Sequence, residues 1–198
     1  MKLETQRLIL RKPRISDGVI FEENNDLIAI KDFFMPYPSK KGDFNGLMKQ
    51  CIEEWDKKKR YWFVLQIKNT KEIIGLCGVK NINNYNKTGY LSSWIFKKYR
   101  NKEFATEAKI AVNNFCFNEL RLRKLKSEVA TFNKRSLGLQ KRFGMKIEGT
   151  AKKENYNPYL KKYADMVWFA FFKEDWKKNL PKLKKHLQEK IWNLENKK

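Results

Sequence analysis

The sequence predicts a mixed α/β fold in one domain, and three observations carry that reading. Strand-like runs at 60–69, 72–82 and 88–99 follow one another with only short connections. Stretches with helical spacing flank this block at 45–59 and 104–120. A further set of strand-like runs then returns after residue 124, so helices and strands alternate. With 198 residues, 41% of them hydrophobic, the chain is long enough to bury a substantial core.

The elements follow in order. RLILRKP (7–13) reads as a short strand closed by Pro13, after which Ser16 is placed to cap a helix with Asp17 in its first turn. FFMPYPSKKGDF (33–44) carries two prolines and a glycine and reads as a loop. In 45–59 the apolar residues fall at 47, 48, 51, 52 and 55, a helical repeat. The runs 60–69 and 72–82, joined by NTK, form an antiparallel hairpin, and 88–99 adds a third strand. Residues 104–120 place Phe104, Ala108, Ala111, Val112 and Phe115 on one helical face. KLKSEVATF (124–132) alternates as a strand, and Asn133 caps a short helix that ends at Gly144. MKIEGTAKK and KKYADMVWFAFFKEDW complete the sheet. The domain is expected to span 1–176. Residues 177–198 then form a charged amphipathic helix with Leu183, Leu187, Ile191 and Leu194 on one side, which packs on the domain or mediates a homodimer.

Composition narrows the function classes. The formal charge of +22 comes from 35 Lys and 9 Arg against 22 acidic residues, scattered rather than blocked. Such a surface attracts anionic ligands, phosphorylated cofactors included. Nucleic-acid or ribosome binding is open but not favoured, because no Arg-rich run or zinc-finger spacing occurs. Cys51, Cys77 and Cys116 have no metal-ligand spacing and accompany a single histidine, His186, so they read as free buried thiols and no metal is expected. No stretch suits a membrane span, and the polar opening MKLETQRLILRKPR lacks the apolar centre of a signal peptide, which makes the cytoplasm the expected location.

Four stretches resemble the GCN5-related N-acetyltransferase (GNAT) superfamily, and within it the branch of RimJ/RimL-type ribosomal-protein N-terminal acetyltransferases. They are LETQRLILRKPRISD, EIIGLCGV, WIFKKYRNKEFATEA and TFNKRSLGLQKRFGMK, with YADMVWFAFFKEDW closing the pattern. The resemblance covers about residues 3–176. It implies a mostly antiparallel sheet, splayed near an acetyl-CoA site and flanked by helices, and an acetyl-CoA-dependent transfer to a primary amine. A protein N-terminus is the expected acceptor. The competing expectation is a non-catalytic module of this fold that binds ribosome, RNA or a protein partner through its basic surface.

Acetyl transfer from a thioester to an amine needs a polarised carbonyl, a neutral amine and a proton for the departing thiolate. The resemblance implies that the strand ending at Trp94, Ile95 and Phe96 carries a bulge and splays from the next strand. Backbone N–H groups near Ile95 and Phe96 would then face the acetyl and pantetheine groups. The pyrophosphate is expected on the turn and helix start Arg100, Asn101, Lys102, Glu103, Phe104, Ala105 and Thr106. There Asn101 and Glu103 stand where the family has glycine, and Glu103 brings a carboxylate close to phosphate charge. Asn133 is expected to support the cofactor and Ser136 to serve as acid for the thiolate. No general base is assigned: Glu128 and Asp165 lie on later strands, Asp165 reading as structural, and Tyr156, Tyr159 and Tyr163 lie near the last hairpin. Phe33, Phe34, Met35 and Tyr37 are candidate acceptor-pocket residues or core-packed loop anchors. Without an evident base, a free α-amine suits better than a lysine, because about a tenth of it is neutral at pH 7 against fewer than about one in a thousand.

Overall fold

The computed structural model describes residues 1–24, 43–157 and 161–196. Strand β1 (Lys2–Glu4) pairs with β2 (Leu8–Arg11), and helices α1 (Asp17–Glu23) and α2 (Phe44–Asp56) follow. Strands β3 (Tyr61–Ile67), β4 (Ile73–Asn83) and β5 (Thr88–Ile95) form the expected meander. A single 3₁₀ turn (Lys97–Tyr99) leads into α3 (Phe104–Asn118), then β6 (Lys124–Ala130) and α4 (Lys134–Arg142). Strands β7 (Lys146–Asn157) and β8 (Lys162–Phe172) make the last hairpin, and α5 (Lys173–Asn196) ends the fold. The eight strands lie in the order β1-β2-β3-β4-β5-β6-β8-β7, antiparallel throughout except between β5 and β6.

Helix α1 opens differently from the sequence expectation. Ser16 has helical backbone angles and makes no side-chain cap. Asp17 instead ties the chain leading into the helix: its carboxylate accepts from the Arg14 amide at 2.7 Å and from both Arg11 guanidinium nitrogens at 2.8 and 2.7 Å. A carboxylate can take three donors where a hydroxyl accepts fewer, so burial among arginines favours it. Phe33, Phe34, Met35 and Tyr37 lie outside the described residues.

The core is aromatic. Phe21 of α1 meets Trp94 and Phe96 edge-on at 5.4 and 4.9 Å, while Tyr61 and Phe63 of β3 receive Phe115 of α3 at 5.3 and 5.4 Å. Gly75 permits β4 to approach β5: its φ is +147°, and any side chain there would collide with the Trp94 carbonyl. Helix α5 starts earlier than the expected 177 and lies on the domain, burying Trp176, Leu183, Leu187 and Ile191. Trp176 Nε1 donates to Asn114 Oδ1 at 3.0 Å. The expected fourth stripe residue, Leu194, is 46% exposed. All three cysteines are free and buried. No helix among the described residues is long and apolar enough to cross a membrane.

Helix α3 is buried on nearly every side, and one carboxylate in its first turn ties it to the chain's beginning. Glu107 is 3% exposed and accepts from Thr5 Oγ1 at 2.6 Å, the Arg7 amide at 2.7 Å and Arg7 Nε at 2.7 Å. The Arg7 guanidinium also lies 4.4 Å above the Phe104 ring. Removing one member of a buried ion pair strands the other, at a cost of about 3–5 kcal/mol. Glu107→Ala is therefore expected to lower unfolding stability by about that amount in urea titration, and an effect near zero would show that Arg7 finds water instead.

Candidate active site

The site begins where the sheet divides. Strands β5 and β6 pair only at Thr88↔Lys124, Gly89↔Leu125 and Tyr90↔Lys126. Beyond that point β5 stays with β4 as far as Ile95, and β6 stays with β8 as far as Ala130. The expected splay is thus present, but not through the expected bulge at the Trp94–Phe96 end. The β4–β5 register there runs unbroken from Gly75↔Ile95 to Lys80↔Tyr90, and its irregularity falls at the opposite end, between Lys80 and Asn83.

The backbone of β5 then sorts itself by alternation. Phe96 N–H donates to the Ile74 carbonyl at 2.9 Å, so it is already engaged. The next pair, Gly75↔Ile95, is consequently a non-hydrogen-bonded one, and the Ile95 N–H and carbonyl point away from β4 into the split. The same parity holds for Ser93 and Leu91. Trp94 and Phe96 are core residues at 5% and 1% exposure, and neither lines the cleft.

Between the splayed strands lies a cleft of about 420 Å³. Of the residues expected from sequence, it gathers Ile95, Arg100, Asn101, Glu103, Phe104, Ala105, Thr106, Asn133 and Ser136; Lys102 stands outside its lining. Helix α3 begins just after β5 and α4 just after β6, so both helix amino ends face the cleft.

The turn keeps a glycine-like path without glycine. Asn101 and Glu103 have φ values of 64° and 61°, both left-handed. These are the two positions at which the sequence departs from the glycine pattern. Asn adopts this conformation readily, whereas for Glu it is a strain of order 1–3 kcal/mol that the surroundings must hold. They do hold it: the Glu103 carboxylate accepts from Thr106 Oγ1 at 2.6 Å and from Arg142 Nη1 at 3.1 and 3.3 Å. Arg142 ends α4, thirty-nine residues away, so the pair also bridges the two helices across the cleft. Arg100 Nε donates to the Ile95 carbonyl at 3.0 Å and anchors the turn to the end of β5.

On the opposite wall, Asn133 caps α4, its Oδ1 accepting from the Ser136 amide at 3.1 Å. The Ser136 backbone is thereby fixed, and Ser136 lines the cleft. Two acidic candidates now separate. Asp165 accepts from the Lys153 amide at 2.8 Å and Lys152 Nζ at 3.0 Å; these bonds, the amide first, hold its carboxyl below the usual carboxylate range. It pins the irregular β7–β8 pairing and is absent from the cleft lining. Glu128, by contrast, lines the cleft at the split. Along β6 the residues Leu125, Ser127 and Val129 are buried, so Lys124, Lys126 and Glu128 belong to the other face. The charge of Glu128 reaches Lys80, whose amine is shifted down by burial and partly restored by that carboxylate. Tyr156 and Tyr163 meet at a tilt, ring centres 5.2 Å apart, on the β7–β8 hairpin and outside the cleft lining. Tyr159 lies outside the described residues.

Lys109 was not among the sequence candidates. It lines the cleft floor at 3% exposure, on the α3 stripe Ala105–Lys109–Val112–Cys116. A lysine interrupting an apolar helical stripe is the signal that could have found it. Glu128 left a weaker one, an exposed-face carboxylate on the strand beside the split.

Comparison with known proteins agrees with this geometry. A family model described as "Acetyltransferase (GNAT) domain" matches residues 7–146. The SPbeta prophage-derived uncharacterized N-acetyltransferase YokL of Bacillus subtilis (strain 168) is 27% identical over 175 residues, spanning 88% of this chain and 94% of that protein. Among solved structures, RimL, the ribosomal L7/L12 alpha-N-protein acetyltransferase in complex with coenzyme A, superposes with a TM-score of 0.78. It is 16% identical, covering 87% of this chain and 98% of RimL. The microcin C7 self immunity acetyltransferase MccE, in complex with acetyl-CoA and AMP, gives 0.74 at 17% identity, covering 85% and 93%. At these identities the structural likeness is one of fold. The chain belongs to the GNAT acetyltransferase family, and the solved structures of MccE and RimL hold acetyl-CoA and coenzyme A.

Proposed function

We propose that the protein acetylates a free α-amine of a peptide or protein. The observation that carries this is the division of β5 from β6, with the left-handed turn on one wall and Ser136 and Glu128 on the other. In this reading the inward-facing backbone of Ser93 and Ile95 takes the amides of the pantetheine arm, as an added strand would. The α3 amino end, from Asn101 to Thr106, takes the pyrophosphate, with Lys102 and Arg142 supplying countercharge. Asn133 holds the α4 turn that presents Ser136, whose hydroxyl protonates the departing thiolate. Glu128 accepts the proton that the incoming ammonium must shed.

The acceptor class follows from proton arithmetic. An α-amine of pKa about 7.7–8.0 is roughly a tenth neutral at pH 7, whereas a lysine amine near 10.4 is neutral in fewer than about one molecule in a thousand. The net charge of +22 favours acceptors with acidic residues near their amino terminus and disfavours polycationic amines. The name of RimL, an alpha-N-protein acetyltransferase, supports the same class.

Four outcomes test the reading. Calorimetric titration should show acetyl-CoA binding, and turnover on an acidic α-amine peptide should exceed that on the same peptide blocked at its amino terminus and carrying an internal lysine; a lysine preference refutes the acceptor assignment. Ser136→Ala should lower kcat about 10²–10⁴-fold with little change in KM, the scale of one positioned acid; an unchanged kcat removes Ser136 from the chemistry. Glu103→Gly should tighten acetyl-CoA binding. It removes a carboxylate worth about 1 kcal/mol of repulsion to a solvated phosphate charge at 4 Å, releases Arg142 to the ligand, and leaves glycine at a left-handed position. Several-fold tighter binding is expected, and unchanged affinity would mean that Arg142 already cancels Glu103 in full.

A further inference from the structure

We infer that Lys109 is an internal acyl acceptor: bound acetyl-CoA acetylates its Nζ, giving a self-acetylated protein. The inference rests on the family's use of acetyl-CoA and on this chain's own residues. Lys109 sits on the cleft floor at 3% exposure, next to the β4–β5 pair Cys77↔Ser93, and Ser93 lines the same cleft. No hydrogen bond or ion pair to its amine occurs among the described residues, and no carboxylate interacts with it. The thiol of Cys77 is its one electrostatic neighbour, and burial pushes that thiol up to about 12, so it brings no negative charge at neutral pH. A buried ammonium without a counter-ion is expensive, and burial accordingly pushes the Lys109 amine down, towards the neutral and nucleophilic form.

The position fits an acyl acceptor. An arm running from the 101–106 turn towards Ser136 passes along the split whose floor holds Lys109. The remaining lysine of the cleft lining, Lys134, is exposed and keeps an ordinary solvated environment. The step balances with no further reagent. The Nζ lone pair attacks the thioester carbonyl carbon, the C–N bond forms and the C–S bond breaks. The electron pair leaves on sulfur, and the amine proton passes to that thiolate, giving free CoA and Nε-acetyl-Lys109. The product also suits its surroundings better than the reactant does. One turn along α3, Asn113 is fully buried with neither amide atom hydrogen-bonded, and a neutral acetamide is far easier to bury than an ammonium.

The test uses the full chain with isotope-labelled acetyl-CoA at neutral pH, followed by intact mass and peptide mapping, with calorimetry on the same protein. The expected result is one label per chain on Lys109, at a rate that saturates with acetyl-CoA. That rate should exceed that of any exposed lysine at least about tenfold, because exposed amines are neutral in fewer than about one molecule in a thousand. Lys109→Met should lose the saturable label. Acetyl-CoA binding with Lys109 unlabelled overturns this inference and leaves the acetyltransferase reading standing. So does labelling that is spread over surface lysines and linear in acetyl-CoA. Absence of binding in the calorimeter overturns both together. Should Lys109→Met fail to fold, mapping of the unaltered protein still decides the matter.

Discussion

The division between β5 and β6 is the constraint on which the rest of the molecule depends. Each strand is fully committed on its outer edge, β5 to β4 and β6 to β8, while their inner edges meet for only three residue pairs. Backbone N–H and carbonyl groups beyond that point still need partners. A wedge edged by such groups suits a ligand that itself carries amides, which a purely apolar pocket would not. The parallel pairing adds a second consequence. Because β5 and β6 run the same way, the helices that follow them both begin at the open end, and two positive helix ends converge on one cleft. One topological choice thus supplies the amide edges and the anion site together.

Acidic residues crowd the first turn of α3, which at first sight opposes an anion site. Glu103 and Glu107 both belong there, yet neither is left as a bare charge. Arg7 reaches Glu107 from the first hairpin, and Arg142 reaches Glu103 from the end of α4. The two pairs differ in burial. The side chain of Glu107 is 3% exposed with three donors, whereas the Glu103 pair lies at the cleft rim with Arg142 at 40% exposure. The first is therefore architecture and the second an exchangeable contact, since a rim ion pair contributes little and a doubly charged pyrophosphate competes well for the same guanidinium.

How much of this was legible in the sequence depended on the range of each interaction. The meander, the 104–118 helix and the Asn133 cap follow from periodicity and capping, which act within a few residues, and all are present. Asn101 and Glu103 stood where the family pattern has glycine, and both have left-handed backbone. What failed or stayed hidden needed distant partners. Ser16 looked like a cap, yet its backbone is helical and the side-chain bonds at the start of α1 run from Asp17 to Arg11 and Arg14. Arg142 gave no sign that it would answer Glu103. Asp165 read as structural and does pin the irregular β7–β8 pairing, whereas Glu128 was only a letter on a strand until the split brought it to the cleft. Phe96 N–H was assigned to the ligand, although the parity of the β4 ladder spends it on Ile74.

Helix α3 buries four polar side chains, Thr106, Glu107, Lys109 and Asn113. Their compensation is uneven. Glu107 has three donors, while Lys109 has no partner among the described residues and Asn113 has neither amide atom satisfied. Each unsatisfied buried polar group costs on the order of 1–3 kcal/mol, a considerable fraction of the 5–15 kcal/mol by which a domain is stable. Leucine at 109 and alanine at 113 would fill the same helix positions without that cost. Uncompensated polar groups of this kind tend to lie at functional sites, where local rules give way to chemistry. Lys109 lines the split between β5 and β6 with Asn113 one turn further along α3, which places the defect beside the path an acyl thioester would take.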